Sequence, residues 1–282
     1  MRKQLYRDAK LGGVLAIALI LVGSLLLLLM LYASYRRAIH ELPRDEVDTL
    51  SSRVDSRSGE AVGQEQLELE IKTWRYVEGI PQELAQFETV FWEPDDTNSM
   101  RQWIEETDIV DGGSILEIGT GTGLVAIWAA LQGARKVVAT DINPIAVANA
   151  SYNAERLGLQ AAIEVRRVPI SKPGPFEVVT AGEKFDVILS NPPWEDSSVE
   201  EVAAHALYDP GFALLDGILA EAATHLNDNG RLLLAYGART AIERILQAAP
   251  SHGWQVQIRD ARSLDTLPEV FLPGMLLELS RE

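Results

Sequence analysis

From Ser114 to the end of the chain, short apolar strand patterns alternate with helical ones, and this rhythm restricts the fold more than any other feature of the 282 residues. SILEI (114–118) reads as a strand, Leu124–Leu131 as a helix, KVVAT (136–140) as a strand and Ile145–Arg156 as a helix. AAIEVRRV (161–168) and FDVILS (185–190) are strand-like, Phe212–Leu226 is helical, RLLLAY (231–236) is a strand and Thr240–Ala248 a helix. WQVQIRD (254–260) and MLLELS (275–280) then close the chain. Parallel strands need long crossovers, and a helix is the usual one. The expected fold class is therefore α/β, a doubly wound and mostly parallel seven-stranded sheet. The last two strand patterns have no helix between them, which suggests an antiparallel edge.

Upstream the chain changes character. Between Lys10 and Arg36 no residue is charged, and Leu, Ile, Val and Ala dominate. At about 1.5 Å per residue, a helix over 11–35 exceeds the ~30 Å hydrocarbon core of a bilayer, so a single transmembrane helix is expected there. A cleaved signal peptide would have a shorter apolar core, and Leu31-Tyr32-Ala33 is a poor cleavage site. Arg2, Lys3, Arg7 and Lys10 balance Arg36, Arg37 and Arg44, so charge does not set the orientation. Residues 1–10 read as a short tail, 36–66 as a flexible tether, 67–110 as a helical lead-in with Pro81 opening a second short helix, and 111–282 as the globular domain.

The first strand of that domain runs into Glu117-Ile-Gly119-Thr-Gly121-Thr-Gly123, and a helix follows. Glycine there allows a tight turn and close approach of backbone to a ligand. Alone, such a turn is equally well a structural device. The next strand, however, ends in Asp141, about 20 residues on, where a carboxylate can accept both hydroxyls of a ribose.

A second constellation follows the FDVILS strand: Asn191-Pro192-Pro193-Trp194. Two prolines fix the backbone and remove two donors. The Pro192 carbonyl and the Asn191 side-chain oxygen are then two acceptors suited to a planar NH2, and Trp194 offers a flat face to the group that carries it. Asn191, Pro192 and Trp194 are the candidate catalytic residues.

ILEIGTGTG followed by ATDINPIAVANASYNAERLGL resembles the first two motifs of class I, Rossmann-like S-adenosylmethionine-dependent methyltransferases. The resemblance implies S-adenosyl-L-methionine as cofactor, held by Glu117, Gly119, Gly121, Gly123, Asp141 and Asn191. NPPW is similar to the (N/D)PP(Y/F/W) motif of enzymes that methylate glutamine amides or nucleobase amino groups. VFWEPDDT (90–97) and YDPGFALLDG (208–217) resemble segments of release factor glutamine methyltransferases. Two departures stand out. An acid that helps place the adenine is expected after the third strand, where this chain has Pro169 and Ser171, and Trp194 stands where Tyr is usual. The implied activity is N-methylation of an amide or amino group of a protein or small molecule at the membrane. The domain is expected on the cytoplasmic side, where the cofactor is made. The alternatives are a nucleic-acid amino-methyltransferase and a degenerate cofactor-binding scaffold.

Charge bears on these alternatives. The net charge is −16, although the first 40 residues carry six Lys/Arg against one Asp, so the remainder is more acidic still. Such a surface repels polyanions, which makes nucleic acid an unfavoured partner. There is no cysteine, and the four histidines (His40, His205, His225, His252) show no metal-ligand spacing. They are read as surface or cap residues; His205, soonest after NPPW, is the one that could line an acceptor pocket. Trp92 and Trp103 are read as packing residues, and Glu195 and Asp196 as a solvated loop.

Overall fold

The computed structural model describes residues 69–281 and Met30. Met30 aside, the expected tail, transmembrane helix and tether lie outside the described residues. Among the described residues no helix is long and apolar enough to cross a membrane.

Seven strands form the main sheet: β3 (Ser114–Ile118), β4 (Lys136–Asp141), β5 (Ile163–Arg167), β6 (Phe185–Ser190), β7 (Leu226–Ala238), β8 (Gln255–Ile258) and β9 (Val270–Ser280). Their order is β5-β4-β3-β6-β7-β9-β8. All neighbours from β5 to β7 are parallel, and β9 runs antiparallel to both β7 and β8. The seven expected strands are thus all present, in a Rossmann-like, mostly parallel sheet. The last strand inserts between β7 and β8, and with no helical crossover between β8 and β9 the two pair antiparallel.

The helices are α1 (Asn98–Glu106), α2 (Leu124–Leu131), α3 (Pro144–Arg156), α4 (Ala213–His225) and α5 (Arg239–Ala248). All five residues of β3 are buried, as a strand covered on both faces requires. The order reverses between β3 and β6: from β3 the chain proceeds outward to β4 and β5, then returns to β6 on the other side. Loops at the carboxyl ends of these two strands diverge and leave a crevice, the usual ligand position in such sheets. Ile118 at the end of β3 lies opposite Ser190 at the end of β6, and the Ser190 hydroxyl donates to the Ile118 carbonyl at 2.7 Å.

The lead-in departs from its expected helical form. Residues Ile71–Arg75 (β1) and Leu84–Phe87 (β2) pair antiparallel as a separate two-stranded sheet, and Pro81 lies in the bend between them, opening no helix. The physical reason lies in α3. Asn149 and Asn153, one turn apart and fully buried, present their amides to the backbone of β2. Asn149 accepts from the Phe87 N–H at 2.9 Å and donates to the Ala85 carbonyl at 2.8 Å. Asn153 accepts from the Ala85 N–H at 2.8 Å and donates to the carbonyls of Ala85 and Thr122, both at 2.9 Å. Two side chains therefore stand in for a neighbouring strand, and all four β2 residues are buried. Only tertiary contact supplies those amides, so local periodicity could not favour the strand.

Asn153→Ala is expected to destabilise the domain by about 2–4 kcal/mol in urea unfolding, because it strips buried backbone groups of β2 and of the Thr122 turn at once. A change within experimental error would mean that the hairpin is not held by these bonds.

Candidate active site

The glycine turn is braced by the two acids that flank it. Glu117, buried at the end of β3, accepts from the Thr120 hydroxyl at 2.6 Å and from the Ala126 N–H at 3.1 Å, both on Oε2. Asp141, at the end of β4, accepts from the Gly121 N–H and the Asn143 N–H, each at 2.9 Å. The Gly119 and Thr120 N–H groups both donate to the Thr140 carbonyl at 2.9 Å. Each carboxylate keeps lone pairs beyond these bonds, and both side chains line the cleft above the turn.

The three glycines divide by task. Gly119 and Gly121 adopt φ of +77° and +55°, and a Cβ added to either would enter open space. That space is the cradle the turn was expected to form, so the residues present fit an adenosyl cofactor. Gly123 is different. A Cβ there would come within 3.1 Å of Ala150 on α3, and the residue does not line the cleft. With φ at +85° and no side chain, this residue lets α2 approach α3.

Asn191, Pro192, Pro193 and Trp194 lie across the same cleft, at the end of β6. The Asn191 amide is oriented from both sides. Trp194 donates its indole N–H to Asn191 Oδ1 at 3.2 Å, while the Asp96 carboxyl hydrogen-bonds the Asn191 side chain. When ionised, Asp96 can only accept and Nδ2 is the amide's only donor, so in that state the two neighbours specify the same orientation, with Oδ1 turned from Asp96. Burial pushes the Asp96 carboxyl up to about 7 against this hydrogen bond. The large indole is housed by an absence: a Cβ at Gly237 on β7 would lie 2.4 Å from the Trp194 ring and 2.4 Å from the Phe271 carbonyl oxygen. Asp96 is seated likewise, since a Cβ at Gly274 on β9 would lie 2.3 Å from its carbonyl oxygen.

The cleft holds about 630 Å³. Its wall beyond Asp141 is formed by Ile142, Val168, Pro173, Gly174 and Pro175, apolar where an acid was expected after the third strand. Among the described residues, six carboxylate residues line the cleft (Glu93, Asp96, Glu117, Asp141, Glu195 and Asp209) and no Lys or Arg does. Asp209 caps α4, accepting from the Leu214 and Leu215 N–H groups at 2.9 and 3.0 Å. His205 lines the cleft, with its pKa lowered by burial. Trp92, expected only to pack, lines it too, with the Arg75 guanidinium 5.6 Å from its ring centroid. Trp103 packs beneath Arg259, as expected. Asp96, Val270 and Leu272 were missed as site residues. Only Asp96 had a signal, its place in the VFWEPDDT stretch; the other two come from β9, far along the chain. Among the described residues no cluster of His, Asp and Glu could hold a metal ion.

The profile of the family described as "Ribosomal protein L11 methyltransferase (PrmA)" matches residues 95–240. A Methanocaldococcus jannaschii protein assigned as a protein N5-glutamine methyltransferase is 34% identical over 157 residues, covering 53% of this chain and 74% of that one. The release factor glutamine methyltransferase of Cereibacter sphaeroides is 36% identical over 152 residues, covering 48% of this chain and 51% of its own length. The chain thus spans about half of several curated relatives. A solved Streptococcus mutans structure assigned as an S-adenosylmethionine-dependent methyltransferase superposes with a TM-score of 0.54 at 14% identity, over 78% of this chain and 57% of that one, and shares the fold.

Two outcomes follow from the packing and charge of the cleft. Gly237→Ala should cost stability, and the cost should fall by about 1 kcal/mol or more in a Trp194→Phe background, where the smaller ring leaves only the Phe271 carbonyl to meet the new methyl. Equal costs in the two backgrounds, read from urea unfolding, would show that Gly237 does not serve the indole. Burial also pushes the Glu117 carboxyl up from 4.5 to about 8. The folded protein then holds a proton that the unfolded chain has lost, so this group's contribution to stability falls as pH rises from about 4.5 to 8. A cationic ligand in the cleft favours the ionised carboxylate. Its affinity should therefore rise with pH between about 6 and 8, with protons released on binding, and Glu117→Gln should flatten that dependence in calorimetry.

Proposed function

The chain belongs to the ribosomal protein L11 methyltransferase family, and from that premise we propose that it transfers a methyl group from S-adenosyl-L-methionine to an amide or amino nitrogen of a protein, the glutamine amide above all. The observation that carries this reading is the meeting of two constellations, the glycine turn after β3 and Asn191-Pro192-Pro193-Trp194 after β6, on one cleft at neighbouring strand ends.

Glu117, Asp141 and the backbone at Gly119 and Gly121 would hold the cofactor, which supplies a methyl carbon on a sulfonium whose sulfur leaves as a neutral thioether. The chain's own part is to prepare the nitrogen. Asn191 Oδ1 and the Pro192 carbonyl accept the two hydrogens of the acceptor NH2. Held this way, the nitrogen lone pair turns out of conjugation and toward the methyl carbon. Asp96 and the Trp194 indole N–H keep the Asn191 amide from flipping, since a flipped amide would meet NH2 with NH2. The ring of Trp194 shields the planar group from water. The nitrogen would receive the methyl group that the cofactor supplies and would then release its extra proton to solvent water. No base is needed before attack, because the leaving thioether carries the driving force.

A protein acceptor is supported by the named relatives, whose described substrates are a release factor and a protein glutamine. A nucleic-acid acceptor is disfavoured by a cleft that, among the described residues, is lined with six carboxylates and no Lys or Arg. Membrane placement belongs to the proposal on sequence alone: the uncharged run 11–35 is long enough to span. The catalytic domain would then face the cytoplasm, where the cofactor is made.

Calorimetry on the full chain tests the reading. S-adenosyl-L-methionine should bind in the micromolar range. Asp141→Ala should weaken binding by at least about tenfold, or 1.4 kcal/mol. Asn191→Ala should leave binding nearly intact but lower turnover on a glutamine-bearing acceptor by about two orders of magnitude or more. A folded protein that binds no cofactor would leave only a scaffold, and a fully active Asn191→Ala would remove NPPW from the chemistry.

A further inference from the structure

The outer mouth of the cleft is more apolar than a cofactor needs. Phe91, Leu207, Val270 and Leu272 all line it, and each is a large hydrophobic side chain left 37–51% exposed. They come from three separate stretches: the turn after β2, the short 3-10 helix region that follows NPPW, and the start of β9. Convergence of exposed apolar groups from distant sequence onto one opening marks a contact surface, because scattered ones need no explanation and a gathered rim does.

Charge around this rim has one sign. Glu195 is exposed and follows Trp194 directly. Its backbone is bridged to Tyr208, the Asp209 N–H donating to the Glu195 carbonyl at 2.8 Å, so the strip that carries Leu207 runs alongside Glu195, and both residues line the cleft. Glu93 also lines the cleft, two residues from Phe91. The cations nearby are already engaged. Arg75 lies over the Trp92 ring and donates to Gln86, and Arg262, which reaches the Pro273 carbonyl, is paired with Asp260. Glu117 and Asp141 would hold the cationic cofactor; Glu93 and Glu195, which line the same cleft as NPPW, would meet what enters with the acceptor nitrogen.

We propose that the methyl acceptor is presented on an apolar, positively charged peptide segment, with hydrophobic side chains on Phe91, Leu207, Val270 and Leu272 and Lys or Arg side chains against Glu93 and Glu195. This rests on the N-methyltransferase reading and deepens it by naming the class of sequence around the acceptor. The rim contributes affinity through burial, and the carboxylates contribute sign selectivity and a faster encounter.

Peptide binding tests this without turnover. Three labelled peptides share a central glutamine: one flanked by Leu, Phe, Lys and Arg, one by Leu, Phe and Glu, and one by Ser, Gly, Lys and Arg. Each is titrated by anisotropy against the full chain in neutral phosphatidylcholine nanodiscs, with S-adenosylhomocysteine present and empty discs as blank. The apolar basic peptide should bind at least about tenfold tighter than either other. Leu207→Ser/Leu272→Ser should abolish that preference over the polar basic peptide. Glu93→Gln/Glu195→Gln should abolish it over the acidic one; glutamine at 93 keeps an acceptor for the Asp95 N–H. Equal binding of the three peptides, or no binding of any, overturns the proposal. The methyltransferase reading would still be judged by cofactor binding and by Asn191→Ala.

Discussion

The hydrogen bond from the Ser190 hydroxyl to the Ile118 carbonyl, 2.7 Å long and buried, ties the ends of the two central strands on which the rest of the site depends. A parallel pair has no turn to fix its register, so register comes from packing and from such cross-links. With Ile118 opposite Ser190, the glycine turn and NPPW leave the sheet side by side. One residue of slip would turn every side chain of β6 to the other face and carry Asn191 away from the cleft.

Around that junction the buried polar groups that brace the site are hydrogen-bonded. Glu117 and Asp141 brace the glycine turn before any ligand arrives, so the cradle at Gly119 and Gly121 is pre-formed. Asn153 links the same turn, through Thr122, to the β1–β2 hairpin. Asn191 in turn is held between Asp96 and Trp194. Buried networks of this kind cost stability when broken and give a single geometry when whole, which is what a site that must aim one nitrogen lone pair requires.

The charge pattern has a second physical role. A cleft lined by carboxylates and flanked by apolar wall attracts cations and repels phosphate, and low dielectric around it strengthens both effects. The same burial lifts Glu117 to about 8 and Asp96 to about 7. Part of the negative charge is thus withheld near neutral pH and develops as a positive ligand enters.

Alternation of strands and helices fixes the fold class from sequence, because a buried parallel sheet needs continuous apolar runs joined by helical crossovers, and those runs are local. Glu117, Gly119, Gly121, Asp141 and Asn191 were legible for the same reason: each stands at the end of a strand in a short motif. What only the tertiary structure decided is everything joined across distance. Leu84–Phe87 is a strand because Asn149 and Asn153 reach it. Gly123 leaves room for Ala150, on another helix. Trp194 fits because Gly237, on another strand, has no side chain, and the mouth is apolar because Val270 and Leu272 arrive from β9. Periodicity and motif spacing report what neighbours in sequence do to one another; clearance, pairing and rim composition depend on residues that only the folded chain makes neighbours.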